Sequence, residues 1–144
     1  MVVHLLLGIS FEATTFRETF LTYRRKNTIN QKHKNWKLFL KKTREDYVTL
    51  GKEIPDTFKG FSVMGKEAKK EGIVSEKTKE FVALGIAIST RCESCIGMHV
   101  ESLIRLGTSR EELIEVLAMC SYMGGGPSIT FSTKALEAFE QLRK

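Results

Sequence analysis

The sequence contains no hydrophobic run long enough to cross a membrane. Its longest nearly uncharged apolar stretches, residues 2–9 and 81–88, have eight residues each, less than half of the roughly 20 that a membrane-spanning helix needs. No Lys or Arg precedes the first stretch and no small-residue cleavage site follows it, so we do not expect a secretory signal. A cytoplasmic protein without a membrane partner is therefore expected.

Proline and cysteine are also scarce, with two and three residues in a chain of 144. Few prolines, few β-branched clusters and apolar residues spaced three and four apart are typical of helices. No period of roughly 20 to 50 residues recurs, which excludes repeat architectures. Because the length suits one domain, we predict a single compact all-α domain of about six helices, built to oligomerise.

Prolines, glycines and capping residues divide the chain into predicted helices. The first spans roughly residues 31–50. It should stop at Gly51 and the Ile54–Pro55 pair, because a residue before proline avoids the helical region. The second should be capped by Asp56 and end at Gly72. Its apolar spacing predicts a buried stripe formed by Phe58, Phe61, Met64 and Ala68.

The third predicted helix, about residues 76–90, is apolar nearly all round between residues 81 and 88, so neighbouring helices should cover most of its surface. Ser75 is its expected N-cap. The fourth helix should span about residues 92–106 and end at Gly107.

Two sequence features delimit the last predicted helices. Ser109 and Glu112 have the spacing of a capping box, so the fifth helix should begin at Arg110. The run of three glycines before Pro127 predicts a break, with Pro127 as the first residue of a sixth helix.

Acidic residues are absent between Arg24 and Arg44, where nine basic residues occur. This segment could bind nucleic-acid phosphates or an acidic protein surface. We favour a solvated helix face with Trp36, Phe39 and Leu40 as its buried stripe, so nucleic acid is not an expected partner. The basicity nevertheless suggests dividing the chain into a basic N-terminal extension, residues 1–40, and a helical domain, residues 41–144.

The most informative motif is Cys92-x-x-Cys95-x-x-x-His99, at the predicted start of the fourth helix. Residues three and four apart share one face of a helix, so the two thiols and the imidazole should lie in one row. A cysteine pair in a terminal turn can approach closely enough for a reversible disulfide. The positive end of the helix dipole also favours thiolate there.

His99 lies one turn after Cys95 and is the natural base for that thiol. Glu80, twelve residues before Cys92, is a candidate to orient the imidazole, because a charge beside an apolar run seldom goes unpaired. The alternative is a surface glutamate that complements the dipole of the third helix.

Two other interpretations of the cysteines stay open. Two thiolates, an imidazole and a carboxylate could hold zinc, but structural zinc sites generally draw on two separated cysteine or histidine pairs. The cysteines could also be buried apolar side chains. We expect no metal and no organic cofactor, and we expect Cys120 to belong to the core.

Glu80, Cys92, Cys95 and His99, followed by a helix and the Gly-Gly-Gly-Pro break, make the region from about Pro55 to Leu142 resemble the carboxymuconolactone decarboxylase family. The resemblance is to its alkyl hydroperoxide reductase D-type branch. It implies an all-helical fold, homotrimers or hexamers, and a peroxidase that uses two cysteines as a redox couple. The implied partners are a peroxide and a dithiol or disulfide electron-donor protein, or a peroxiredoxin.

By position, the resemblance makes Cys95 the thiol that attacks peroxide, with His99 and Glu80 removing its proton, and Cys92 the resolving thiol. The helix terminus alone would favour Cys92 as the thiol of low pKa; we follow the resemblance because His99 is closer to Cys95. Many relatives have a histidine directly before the second cysteine, where this chain has Ser94.

The leading hypothesis is therefore a thiol-dependent antioxidant oxidoreductase that reduces peroxides or protein disulfides. One alternative is a lactone decarboxylase of the same family, which works without a redox cysteine pair. Another is a binding module in which residues 24–44 form the active surface and the thiols act as a redox sensor or a zinc clip.

Overall fold

The computed structural model of the protein describes residues 34–144, and every regular element in that range is an α-helix. The predicted all-α fold is confirmed. The helices are α1 (Trp36–Glu53), α2 (Pro55–Lys69), α3 (Glu76–Ser89), α4 (Glu93–Arg105) and α5 (Arg110–Leu142). None of these five is both long and apolar enough to cross a bilayer.

Side-chain caps begin four of the helices, because the first backbone N–H groups of a helix lack partners within it. Ser75 accepts a hydrogen bond from the backbone of Thr78 at the start of α3, as predicted. Ser109 and Glu112 form the predicted capping box at the start of α5. Asn35 caps α1 through its side chain, and Cys92 caps α4.

The boundary between α1 and α2 differs from the prediction. Helix α1 continues through Gly51 to Glu53, and α2 begins at Pro55 instead of being capped by Asp56. A proline fits the first position of a helix because its missing N–H has no helical partner there. A Cβ on Gly51 would lie 3.3 Å from the ring of Phe58, so the glycine lets α2 pack close to α1.

The predicted buried stripe of α2 is wrong within the single chain. No residue of α2 is buried, and the side chains of Phe61 and Met64 are 66% and 61% exposed. The helix also ends at Lys69, before the predicted Gly72. The physical reason is position: α2 contacts only α1 and α3, at the edge of the described bundle.

The hydrophobic core lies where α3, α4 and α5 pack on one another, with α1 covering one side. Leu84, Ala87 and Ile88 of α3 are buried in it, as expected for a central helix. Val82 and Ile86 on the same helix are about 60% exposed. The expectation that neighbours within the chain cover most of α3 is therefore only partly met.

The predicted break before Pro127 lies at Gly125. Its φ of 61° and ψ of −155° are not helical and form a kink between two helical segments. The positive φ suits glycine, which has no Cβ to clash. The predicted fifth and sixth helices are consequently two halves of α5, which gives five helices in residues 34–144.

The basic segment of residues 24–44 is described only from residue 34 onward. Trp36 and Leu40 are buried and Phe39 is half-buried, which agrees with the predicted stripe on a solvated helix. On the exposed face, Arg44 pairs with Glu101 of α4. The rest of the predicted extension lies outside the described residues, and the division at residue 40 stays a prediction.

Candidate functional site

The turn between α3 and α4 sets the position of the first cysteine. Arg91 has a left-handed backbone with φ 59°, and the Cys92 backbone N–H donates to the carbonyl of Ala87 at 3.0 Å. Residues other than glycine adopt this conformation at a cost of roughly 1–2 kcal/mol. The chain thereby reverses within two residues and delivers Cys92 to the beginning of α4.

Cys92 and Cys95 form a disulfide, with their Cα atoms 5.3 Å apart. Cys92 is the N-cap of α4, and its Sγ accepts from the Cys95 backbone N–H at 3.3 Å. Both cysteines are half-buried, so their solvent exposure does not distinguish an attacking thiol from a resolving one. The sequence-based expectation that this pair can close a disulfide agrees with the geometry.

Glu80 and His99 meet across the interface between α3 and α4. The Glu80 Oε2 lies 2.6 Å from His99 Nδ1, and Glu80 is fully buried. The surface alternative for Glu80 is therefore wrong. Because the carboxylate occupies Nδ1, the imidazole keeps Nε2 for another group, and Cys95 lies one helical turn before it.

Glu80 has a second charged neighbour that the sequence analysis did not identify. The Nζ of Lys69, the last residue of α2, lies 3.6 Å from Glu80 Oε1. That oxygen is buried and makes no hydrogen bond with the described residues. Burial raises the pKa of Glu80, but the hydrogen bond and charge of His99, together with Lys69, outweigh burial and hold the pKa below its usual value.

Gly97, between Cys95 and His99, brings α4 close to α1. A Cβ at this position would lie 2.8 Å from the side chain of Leu40 and 3.1 Å from the ring of Trp36. Only glycine therefore allows this approach without a shift of buried side chains. Helix α1 consequently packs against the side of α4 opposite Cys95 and His99, because residues two apart lie on opposite sides of a helix.

A carboxymuconolactone decarboxylase family model matches residues 55–138, more than half of the chain. The chain belongs to the carboxymuconolactone decarboxylase family. The match includes Glu80, both cysteines of the motif and His99. The resemblance stated from these residues is thereby confirmed at the level of the family.

Solved structures of two family members share the fold. A carboxymuconolactone decarboxylase family protein of Legionella pneumophila is 40% identical, with TM-score 0.73, covering 76% of this chain and 97% of that one. A family member from Thermotoga maritima is 27% identical, with TM-score 0.58, covering 68% and 90% of the two chains. The Thermotoga protein is described as a candidate for involvement in the antioxidative response.

Relatives known by sequence carry no assigned activity. An uncharacterized protein of Haemophilus influenzae is 33% identical over 105 residues, 73% of this chain and 93% of its own length. An uncharacterized protein of Cupriavidus necator is 34% identical over 93 residues, 65% of this chain and 82% of its own length. These relatives therefore support the family but indicate no reaction.

The third cysteine of the chain lies outside the motif of residues 92–99. Cys120 is half-buried and packs against the core, and burial raises the pKa of its thiol. Its Sγ would lie 3.7 Å from a Cβ on Gly85, so it fills the contact between α5 and α3. Within residues 34–144, no three His, Cys, Asp or Glu side chains are arranged to hold a metal ion.

The sequence did not predict a role for Lys69, because its contact with Glu80 joins two separate helices. It precedes Glu80 by eleven residues and belongs to a different helix. The only signal in the sequence is a basic residue in the last turn of a helix, where cations are common for electrostatic reasons. The packing of α2 beside α3 is what brings the ammonium to the buried carboxylate.

Proposed function

We propose that the protein is a thiol-dependent oxidoreductase that reduces organic peroxides through a Cys92–Cys95 redox couple, with His99 and Glu80 as the groups that handle the proton. The observation that carries the proposal is the buried hydrogen bond of Glu80 to His99 Nδ1 at 2.6 Å, one helical turn from a cysteine pair that closes a disulfide. The family relationship and the antioxidative description of the Thermotoga protein support the same chemistry.

In the proposed reaction, His99 Nε2 accepts the proton of the Cys95 thiol, while Glu80 stabilises the resulting imidazolium through Nδ1. The thiolate sulfur attacks the terminal peroxide oxygen, and the oxygen–oxygen bond breaks. The alkoxide that leaves takes the proton from His99 and departs as an alcohol. Cys95 is then a sulfenic acid.

Cys92 completes the cycle in this proposal. Its thiolate attacks the Cys95 sulfur, the disulfide forms, and the sulfenic oxygen leaves as water with the proton released from the Cys92 thiol. A protein dithiol restores both thiols by disulfide exchange and becomes a disulfide itself; the reduced pair can in turn pass its electrons to the disulfide of a peroxiredoxin partner. Two electrons thus pass from an external dithiol to the peroxide.

We further propose that the protein works as a homotrimer or as a hexamer. Large apolar side chains on α3 and α5 are exposed: Val82, Ile86, Met119, Tyr122 and Met123 are each between 58% and 79% exposed. So many exposed large apolar side chains on two helices favour burial between subunits. Sedimentation velocity at micromolar concentration should show no monomer.

Counting free thiols by mass spectrometry tests the proposed reaction. One equivalent of a hydroperoxide should remove two thiols from the reduced wild-type protein. In Cys92→Ser, sulfenic acid should be trapped on Cys95, whereas Cys95→Ser should form neither product. Cys120→Ser is the matched control and should lose two thiols like the wild type. Unchanged thiols in the wild type, with one zinc ion bound per chain, would contradict the proposal and favour a zinc clip.

A further inference from the structure

An open cavity lies beside the site, between α1 and α2. Its volume is about 770 Å³, within the range of roughly 300–1,000 Å³ that is usual for small-molecule sites. Its apolar wall is formed by Tyr47, Leu50, Ile54, Phe58, Phe61 and Met98. Such a wall suits an aliphatic or aromatic body of modest size.

Positive charge is concentrated on one side of this cavity. Three lysines line it: Lys66 and Lys69 from the last turn of α2, and Lys70 directly after this helix. Glu76 is its one acidic lining residue and is already paired with Arg105, at 2.6 Å. Lys70 lies 3.8 Å from the exposed Glu67, and Lys66 makes no ion pair with the described residues. The lining therefore keeps a net positive charge that favours an anion.

Two of the lining residues connect the cavity to the proposed reaction site. Lys69 contacts the buried Glu80 at 3.6 Å. Met98 of α4 is the neighbour of His99 in the chain and lies one turn after the cysteine pair. A molecule in the cavity would therefore lie against the helices that carry the reacting groups.

We infer that this cavity binds the organic part of the substrate, and that the substrate is an amphipathic hydroperoxide with an apolar body and an anionic group. The inference rests on the proposed function and adds the substrate class to it. The apolar body contacts Phe58, Phe61 and their neighbours, and the anionic group pairs with Lys66 and Lys70. Lys69 stays with Glu80.

The positive charge of the cavity favours an anionic hydroperoxide over a neutral one. A neutral alkyl hydroperoxide would use the apolar wall and leave Lys66 and Lys70 facing water, whereas an anionic one gains charge-assisted hydrogen bonds from them. Because both lysines are exposed, this contribution should weaken as added salt screens it.

Binding can be measured without turnover, on the oxidised full-length protein. Decanoate, decanol and decylammonium have the same alkyl chain and differ in the charge of the head group, so titration calorimetry with each of them isolates the contribution of charge. We expect decanoate to bind at least about tenfold more tightly than decanol at low salt. Decylammonium should bind most weakly, and 0.5 M salt should reduce the preference for decanoate.

Two variants locate the binding. Lys66→Gln with Lys70→Gln should remove the preference for decanoate over decanol, whereas Lys59→Gln, on the same helix but outside the cavity lining, should retain it. Phe61→Ser, which removes apolar contact without adding charge, should weaken decanoate and decanol alike. Circular dichroism on each variant checks that the helices are retained.

The two proposals fail in different ways. Equal binding of the three probes, or a preference unchanged by the double lysine substitution, would overturn the assignment of the cavity even if the thiols react with peroxide. Selective binding of decanoate by a protein whose thiols ignore every hydroperoxide would instead contradict the redox function. If both proposals hold, kcat/KM should be higher for a fatty-acid hydroperoxide than for cumene hydroperoxide. The double lysine variant should lose this preference.

Discussion

The two sides of the proposed site are built differently. On the α3–α4 side, Glu80 is fully buried and hydrogen-bonded to His99, and the cysteine pair lies at the start of α4. On the α2 side no residue is buried, and Phe61 and three lysines line an open cavity. The difference indicates that precise proton transfer needs rigid packed elements, whereas recognition of an amphipathic molecule tolerates an edge helix.

The largest expected effect comes from the rigid side. Glu80→Gln keeps the volume but removes the charge that stabilises the protonated imidazole, so the second-order rate of Cys95 oxidation should fall by about 10²- to 10⁴-fold. Stopped-flow measurement with a hydroperoxide tests this. Glu45→Gln, which changes an exposed carboxylate of α1 outside the cavity lining, is the control and should react like the wild type. A rate within twofold of the wild type in Glu80→Gln would remove Glu80 from the mechanism.

A second effect tests how tightly the rigid side is packed. Gly97→Ala should lower the free energy of unfolding by about 1–3 kcal/mol, because its Cβ would displace buried side chains. The nearest atoms are 2.8 Å away on Leu40 and 3.1 Å away on Trp36. Gly85→Ala, whose Cβ would have an ordinary contact at 3.7 Å, is the control and should be neutral or stabilising by up to about 1 kcal/mol. Urea unfolding measures both, and a neutral Gly97→Ala would contradict the close approach.

A third effect tests the link between the two sides, through Lys69. The pKa of Glu80 is lower in the folded protein than its usual value of 4.5. The ionised carboxylate therefore contributes stability above that usual value, and the contribution is lost as the pH falls through the lower folded pKa. Lys69→Met removes one cause of the lowering, so the contribution should shrink and its loss should be complete at a higher pH than in the wild type.

Urea unfolding between pH 7 and pH 3 measures this dependence. Lys69→Arg should restore the wild-type profile because it restores the charge. Lys70→Met, which removes a surface pair with Glu67 and no charge beside Glu80, should leave the shape of the profile unchanged. A Lys69→Met profile parallel to that of the wild type would show that Lys69 does not act through Glu80.

The smallest expected effect concerns the turn that precedes Cys92. Arg91→Gly relieves the left-handed backbone at φ 59° but adds freedom to the unfolded chain, so the two changes nearly cancel. We expect the free energy of unfolding to change by less than about 1 kcal/mol. Thermal unfolding and the rate of disulfide closure should both stay near wild-type values. A large loss of stability would show that the Arg91 side chain is itself a support of the site.

The sequence predicted the parts of the fold that depend on local chemistry. Ser75 and the Ser109–Glu112 capping box begin helices where expected, because a cap involves residues within one turn. The alignment of Cys92, Cys95 and His99 along α4 likewise follows from helical periodicity. The break predicted before Pro127 is a kink at Gly125, where the positive φ suits glycine.

The predictions that failed concern what covers each helix. The apolar spacing of α2 predicted a buried stripe, yet Phe61 and Met64 are exposed because only α1 and α3 reach that helix. Periodicity states which residues share a face, but not whether another helix lies against it. For the same reason, Val82 and Ile86 stay exposed on a helix that was expected to be central.

By itself, the sequence determined the helical class, the caps and the row of two thiols and an imidazole, since these depend on contacts within a few residues. The tertiary structure decided that Glu80 is buried, that it meets His99 from the neighbouring helix, and that Lys69 comes to its other oxygen. It also decided that Gly97 allows α1 to approach α4 and that a lysine-lined cavity opens beside the site. These features join separate helices, and local periodicity does not specify how helices pack.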